Sequence, residues 1–238
     1  MKKAWLFAIA AAFAFPALAE EKNESSLPAE YKQISEDYDK EQKDFASAYQ
    51  KATEEERKTL KFPDAAGYSK KMIALAEKEP KSSTAGDALV WALRHSYYDK
   101  AVGPKAVALL KEHHIENEKL AQACQMLAYS NSDENRDFLK AVIEKNPHDK
   151  VKGAASLALG QMLASENPAE AEKHFNAVVE KYGSKSQKEQ AKGELFEMHN
   201  LAIGKVAPDI EGEDVDGKKF KLSDYRGKVV VIDFWGDW

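Results

Sequence analysis

An internal repeat constrains this chain more than any other feature. Met72, Leu75, Pro80 and Ala88 follow one another at steps of three, five and eight residues. The same steps recur at Val107, Leu110, Ile115 and Ala123, at Leu139, Val142, Pro147 and Ala155, and at Phe175, Val178, Gly183 and Ala191. Successive units begin 35, 32 and 36 residues apart, a period suited to a helix-turn-helix unit. In each unit the first two apolar residues lie one turn apart on one helix. A break follows, and the small Ala on the next helix lets neighbouring helices approach closely. A single hairpin cannot bury its apolar face alone, so neighbours must stack. The expected fold class is therefore mainly α, with a helical-hairpin α-solenoid from about 28 to 201.

Residues 1–19 read as a targeting segment. Lys2 and Lys3 form a basic start, Ala4 to Phe15 an apolar core, and Pro16-Ala17-Leu18-Ala19 a small-residue cleavage site. The apolar run falls short of the roughly 20 residues of a spanning helix, so cleavage before Glu20 and export to the periplasm or cell exterior are expected, with no membrane association afterwards. Removing Lys2 and Lys3 takes the balance from 35 to 33 basic against 40 acidic residues, and the formal net charge from −5 to −7. That argues against nucleic acid or an anionic membrane surface as a partner. Residues 20–27 read as a charged, flexible leader.

From Pro28 a long helical pattern sets Tyr31, Ile34, Tyr38, Phe45, Tyr49 and Ala52 on one face, with Phe62-Pro63 expected to close it. This helix is expected to cap the first end of the repeat array. Breaks follow at Pro80, Gly103-Pro104, Asn117, Ser130 to Asp133, Asn146-Pro147, Asn167-Pro168 and Gly183-Ser184. The stretch Leu157-Ala158-Leu159-Gly160 through Asn167-Pro168-Ala169-Glu170-Ala171-Glu172-Lys173-His174-Phe175 to Tyr182-Gly183 resembles a tetratricopeptide unit with a shortened turn, and HEAT-like packing is the alternative.

At Leu201-Ala202-Ile203-Gly204 the helical periodicity stops, which marks 202–238 as a second unit. Asp216-Gly217 between Ile210 to Val215 and Lys218 to Leu222 predicts a hairpin with a type I′ turn, both central residues at positive φ. Ser223 is placed as the cap of a short turn at Asp224 to Arg226, and Gly227 as the release into Val229-Val230-Val231-Ile232-Asp233-Phe234-Trp235. An apolar run without alternation is expected in the central strand of a sheet covered on both faces.

Val231-Ile232-Asp233-Phe234-Trp235-Gly236-Asp237-Trp238 resembles the strand that leads into the active site of thioredoxin-like proteins. Ile203-Gly204-Lys205-Val206-Ala207-Pro208-Asp209-Ile210, Asp216-Gly217-Lys218 and Leu222-Ser223-Asp224-Tyr225-Arg226-Gly227-Lys228 resemble the opening of exported TlpA-like redoxins of the AhpC-TSA superfamily. The resemblance implies an incomplete thioredoxin-like α/β domain, here a β-hairpin plus the first central strand, and thiol-disulfide exchange with protein thiols or disulfides. In that family the strand is followed by Cys-x-x-Cys, whose first thiolate is stabilised at a helix N-terminus and whose second resolves the mixed disulfide. Neither cysteine is present, so no catalytic residue is assigned within the 238 residues.

Asp233 matches the buried acid beneath the cysteine pair, which implies a carboxyl that shuttles a proton for the resolving thiol in the complete protein; a strand-end Asp bonded to backbone or solvent is the plain alternative. Trp238 matches the aromatic beside the missing nucleophile, whereas core packing suffices for Trp235. Pro208-Asp209 is a positional match that starts the first strand. No cofactor and no metal are expected: His113 and His114 are adjacent and point to different parts of a helix surface, while His95, His148, His174 and His199 fall in separate units. Cys124, the only cysteine, lies between Ala123 and Met126 and reads as a packed, inert core thiol. The expected cause of the ending is a UGA codon meant as selenocysteine and read as stop, ahead of a sequencing or engineered cut or a nonsense or frameshift change. Two rival functions stand beside this reading: a non-enzymatic scaffold in which the helical repeats do the work, and a peroxiredoxin sharing the Ala-Pro-Asp opening.

Overall fold

The computed structural model describes residues 26–96, 99–130 and 132–236. The targeting segment 1–19, residues 20–25 of the leader, and Trp238 lie outside the described residues. Among those described, the chain is mainly helical and carries one small antiparallel sheet near the C-terminus.

Helix α1, Leu27–Lys51, begins with Pro28 in its first turn, where the missing N–H costs nothing. It ends well before Phe62-Pro63. The sequence Thr53-Glu54-Glu55-Glu56 forms a capping box in which the Thr53 and Glu56 side chains satisfy each other's backbone N–H groups, and this starts a separate short helix, α2, Glu54–Arg57. The cap therefore overrides the apolar spacing that suggested one continuous element.

The four repeat units are four consecutive helix pairs. They are α3, Ala65–Lys78, with α4, Ser83–Ser96; α5, Gly103–His113, with α6, Leu120–Leu127; α7, Asp133–Lys145, with α8, Asp149–Leu163; and α9, Pro168–Ala177, with α10, Lys185–Phe196. α9 runs on as a π turn, Val178–Tyr182, and α10 as a second, Glu197–Leu201. Short polar side chains start several of these helices: Asp64 accepts from the Gly67 N–H, Ser132 from Asn135, Asn167 from Glu170 and Ser184 from Gln187.

In every unit the first, second and fourth repeat positions are buried, from Met72, Leu75 and Ala88 through to Phe175, Val178 and Ala191. Helices pack on their neighbours along the chain: α3 on α4, α4 on α5 and α6, α5 on α7, α6 on α8, α7 on α8, and α8 on α9 and α10. α8 is the most enclosed helix, with a continuous buried run from Gly153 to Gly160.

α1 packs on α3 and α4 through an aromatic cluster. Buried Tyr38 has its ring centroid 5.3 Å from Tyr68 and meets Trp91 edge-on at 5.1 Å. Trp91 stacks on His95 at 3.9 Å. Aromatic pairs of this kind add about 0.5–1.5 kcal/mol each beyond their buried area.

A second interaction recurs from pair to pair. His114 Nε2 lies 2.7 Å from the carbonyl oxygen of Pro80, in the turn of the preceding pair. Buried Asn146 donates Nδ2 to the carbonyls of Ile115 and Asn117, at 2.8 and 3.2 Å, and accepts at Oδ1 from the His148 N–H. Gln187 donates to the Lys150 carbonyl at 3.0 Å. Each later pair thus reaches back to the main chain of the pair before it with a side chain that is itself buried. Asn146→Ala removes this reach and leaves two carbonyls and an N–H without their partner, so it should cost about 1–3 kcal/mol in equilibrium denaturation. A loss below about 0.5 kcal/mol, the net worth of a weak hydrogen bond, would contradict the role given to it.

Candidate functional site: the C-terminal segment 203–236

After the last helical turn the chain supplies two short strands, β1, Glu211–Glu213, and β2, Lys219–Lys221. They pair antiparallel with Glu211 opposite Lys221, Gly212 opposite Phe220 and Glu213 opposite Lys219. Opposite charges therefore face each other at both ends of the ladder, and the Lys221 ammonium bonds Glu211.

The connecting turn is not type I′. Gly217 alone takes positive φ, at +77°, and no residue other than glycine does so among the described residues. Asp214 is the reason. Its carbonyl accepts from the Gly217 N–H at 2.9 Å, and its carboxylate accepts from the N–H groups of Asp216 and Lys218 at 3.0 and 2.9 Å. This side-chain clamp fixes a turn over Asp214 to Gly217, with Gly217 as its one left-handed residue; the Asp214 N–H then bonds Lys218 O and closes the loop.

Ser223 also acts differently from its expected capping role. Its hydroxyl donates to Asp209 Oδ2 at 2.7 Å and its N–H to Asp209 Oδ1 at 2.8 Å, tying the start of the segment to the 3-10 turn at Leu222–Tyr225. These two bonds hold the Asp209 carboxyl below its ordinary value. The N-terminus of that turn is served by Asp224, which accepts from the Lys221 N–H at 2.9 Å. A cleft of about 340 Å³ opens beside this latch, between Val206, Pro208, Leu222, Tyr225 and Val230.

Residues 229–236 pair with no strand among the described residues. Val230 and Ile232 are about half exposed, while Val229, Val231, Phe234 and Trp235 are more than four-fifths exposed. The expected central strand is thus unformed here, because a ladder needs a partner on at least one edge and the only two described strands pair with each other. Asp233 is exposed, and nothing covers it. The sequence had singled out Asp233 and passed lightly over Asp209; a bond from Ser223, fourteen residues away, leaves no local signal.

Other candidate groups lie elsewhere. Cys124 is fully buried on α6, and burial pushes its thiol up to about 12, leaving no thiolate for exchange at neutral pH. His95 packs against Trp91, His114 bonds Pro80, and His199 lies 3.1 Å from Glu172. Among the described residues no three His, Cys, Asp or Glu side chains converge as metal ligands do.

Known proteins share sequence with this segment. Residues 203–238 match the AhpC/TSA family. Over 38 residues the chain is 47% identical to the thiol-disulfide oxidoreductase ResA of Geobacillus thermodenitrificans (strain NG80-2), a match that covers 16% of this chain and 22% of that protein. It is 41% identical over 46 residues to ResA of Bacillus anthracis, covering 19% and 27%, and 44% identical over 39 residues to ResA of Bacillus subtilis (strain 168), covering 16% and 22%. The chain thus spans about a quarter of the length of the curated relatives it matches. No solved structure matches it.

The Asp209–Ser223 latch makes a prediction with a definite sign. The ionised carboxylate accepts both bonds, so the latch is intact at neutral pH and opens as the pH falls through a pKa below the ordinary 3.8. Carboxyl NMR should place the Asp209 midpoint below 3.8, and Ser223→Ala should move it back up. A midpoint unchanged by that substitution would contradict the cause assigned.

Proposed function

We propose that this chain belongs to an exported thiol-disulfide oxidoreductase of the TlpA-like, thioredoxin-like class, with a helical-repeat domain from 28 to 201 ahead of a redoxin segment from 202 to 238. The observation that carries the reading is the match of residues 203–238 to the AhpC/TSA family, beside 47% identity over 38 residues to a thiol-disulfide oxidoreductase; 203–238 bears the Ala207-Pro208-Asp209 opening and the Asp233-Phe234-Trp235 run. The helical part is an α-solenoid of tetratricopeptide-like or HEAT-like units that offers its surface to a protein partner. The same three positions buried in four consecutive pairs support this. Export follows from the basic and apolar start of the chain and its Ala17-Leu18-Ala19 site, with cleavage before Glu20.

In the working redox domain, Val229 to Trp235 becomes a covered strand, and Asp233, once buried, holds a proton for the resolving thiol. Trp238 shapes the surface beside the nucleophile, while Trp235 packs in the core. The chemistry needs a thiolate that attacks a substrate disulfide and a second thiol that displaces the product. Cys124, the one thiol here, is sealed in α6 and can do neither. The same fact favours one rival, a scaffold whose helices alone do the work; the Trp-rich run speaks against a peroxiredoxin.

The 238-residue chain should therefore show no insulin-disulfide reductase activity, while a chain continued past Trp238 with Cys-Gly-Pro-Cys and the remainder of a redoxin domain should show it. Reductase activity in the short chain would overturn the assignment. Recovery of every binding partner, redox substrates included, by residues 28–201 alone would favour the scaffold.

A further inference from the structure

We infer that the cleft where α6, α8 and α10 meet binds an extended, uncharged segment of a partner polypeptide through hydrogen bonds to its main chain. The cleft holds about 340 Å³, within the range of binding pockets. Its floor is formed by buried Ala154 and Ala158, small enough for a backbone to approach. Around it stand Gln125 on α6, Gln161 on α8 and Gln190 on α10, one amide from the second helix of each of three successive pairs, with α8 packed against both of the others. Gln125 and Gln190 are exposed and have no hydrogen-bond partner among the described residues. Gln161 donates one N–H to Glu194 at 2.7 Å and keeps its carbonyl and second N–H free. Tyr129, 74% exposed, closes one end with an aromatic face.

Charge selects the occupant. Asp, Glu, Lys and Arg make up 32% of this chain, yet no described residue lining the cleft is charged. A charged side chain laid there would lose water, and the carboxylate bonded to the lining, Glu194, already accepts from Gln161, whereas an uncharged segment loses little. An amide side chain donates and accepts at once, as each peptide group does, so three amides match successive main-chain groups. The occupant must be extended, because a helix has already spent its main-chain donors and acceptors on itself. This inference rests on the reading of the helical part as the surface that meets a protein partner. It concerns binding alone, so its failure would leave the redox assignment standing, and an absence of redox activity would leave it untouched.

The test uses the full chain and, as probe, an end-capped decapeptide of serine, valine and glycine, followed by titration calorimetry. Binding is expected, and Gln125→Ala, Gln190→Ala and Tyr129→Ala should each weaken it by about twofold to tenfold, the worth of one hydrogen bond or contact. All three residues are exposed, so unchanged helical circular dichroism should accompany the loss. N-methylation of the probe's central amides, or exchange of its central residues for Glu or Lys, should abolish it. No binding, binding indifferent to the glutamine substitutions, or displacement of the peptide by maltohexaose would each overturn the inference; the last would mark the cleft as a saccharide site.

Discussion

Successive helix pairs are held in register by buried polar side chains that reach back to the main chain of the preceding pair. His114 meets Pro80, Asn146 meets Ile115 and Asn117, and Gln187 meets Lys150. Apolar packing supplies most of the stabilisation but is not directional, and a stack of Ala-rich helices could slide at little cost. A buried amide or imidazole cannot slide: moved by one residue it loses its carbonyl and pays the full desolvation cost of a buried polar group. The stack also depends on small residues. A Cβ on Gly86 would lie 2.7 Å from Asn117 Nδ2, and one on Gly153 3.0 Å from Gln187 Oε1, so both glycines clear the space through which the next pair's polar groups arrive.

The histidines add a pH limit to this arrangement. Burial lowers the pKa of His95, His114 and His174. Their neutral forms fit the fold. The unfolded chain takes up protons first as the pH falls below about 6.5, so the contribution of these groups turns against the fold below that value. His95 ties this effect to the docking of α1, because it stacks on the indole that also receives Tyr38.

Much of the helical part was legible in the sequence, because each repeat position is both a local and a global signal: Leu139 and Val142 one turn apart predict a helix face, and Ala155 predicts the close approach of its neighbour, and all three are buried. The interactions between turns were not legible. Asn146 reads locally as a break before Pro147, and only the stacked neighbour reveals its bonds to Ile115 and Asn117. Turn chemistry misled in the hairpin for a related reason. Asp216-Gly217 taken alone suggests two left-handed residues, but Asp214, two positions earlier, clamps the loop with its carboxylate and leaves only Gly217 left-handed. At the candidate site the sequence pointed to Asp233, which is solvent-exposed, while the contact of Asp209 with Ser223 joins positions too far apart in the chain to leave a local signal.

The account divides the chain by what each part can bury. The helix pairs bury their repeat positions against each other, whereas 229–236 carries a strand's apolar residues without a strand's partners. Native-state amide hydrogen exchange tests this division most directly. Amides of α8, the most enclosed helix, should be protected to the level of global unfolding, and those of 229–236 should exchange at nearly the rate of a free peptide. Protection of 229–236 comparable to that of α8 would contradict the division, since it would require a partner for that run which the described fold does not provide.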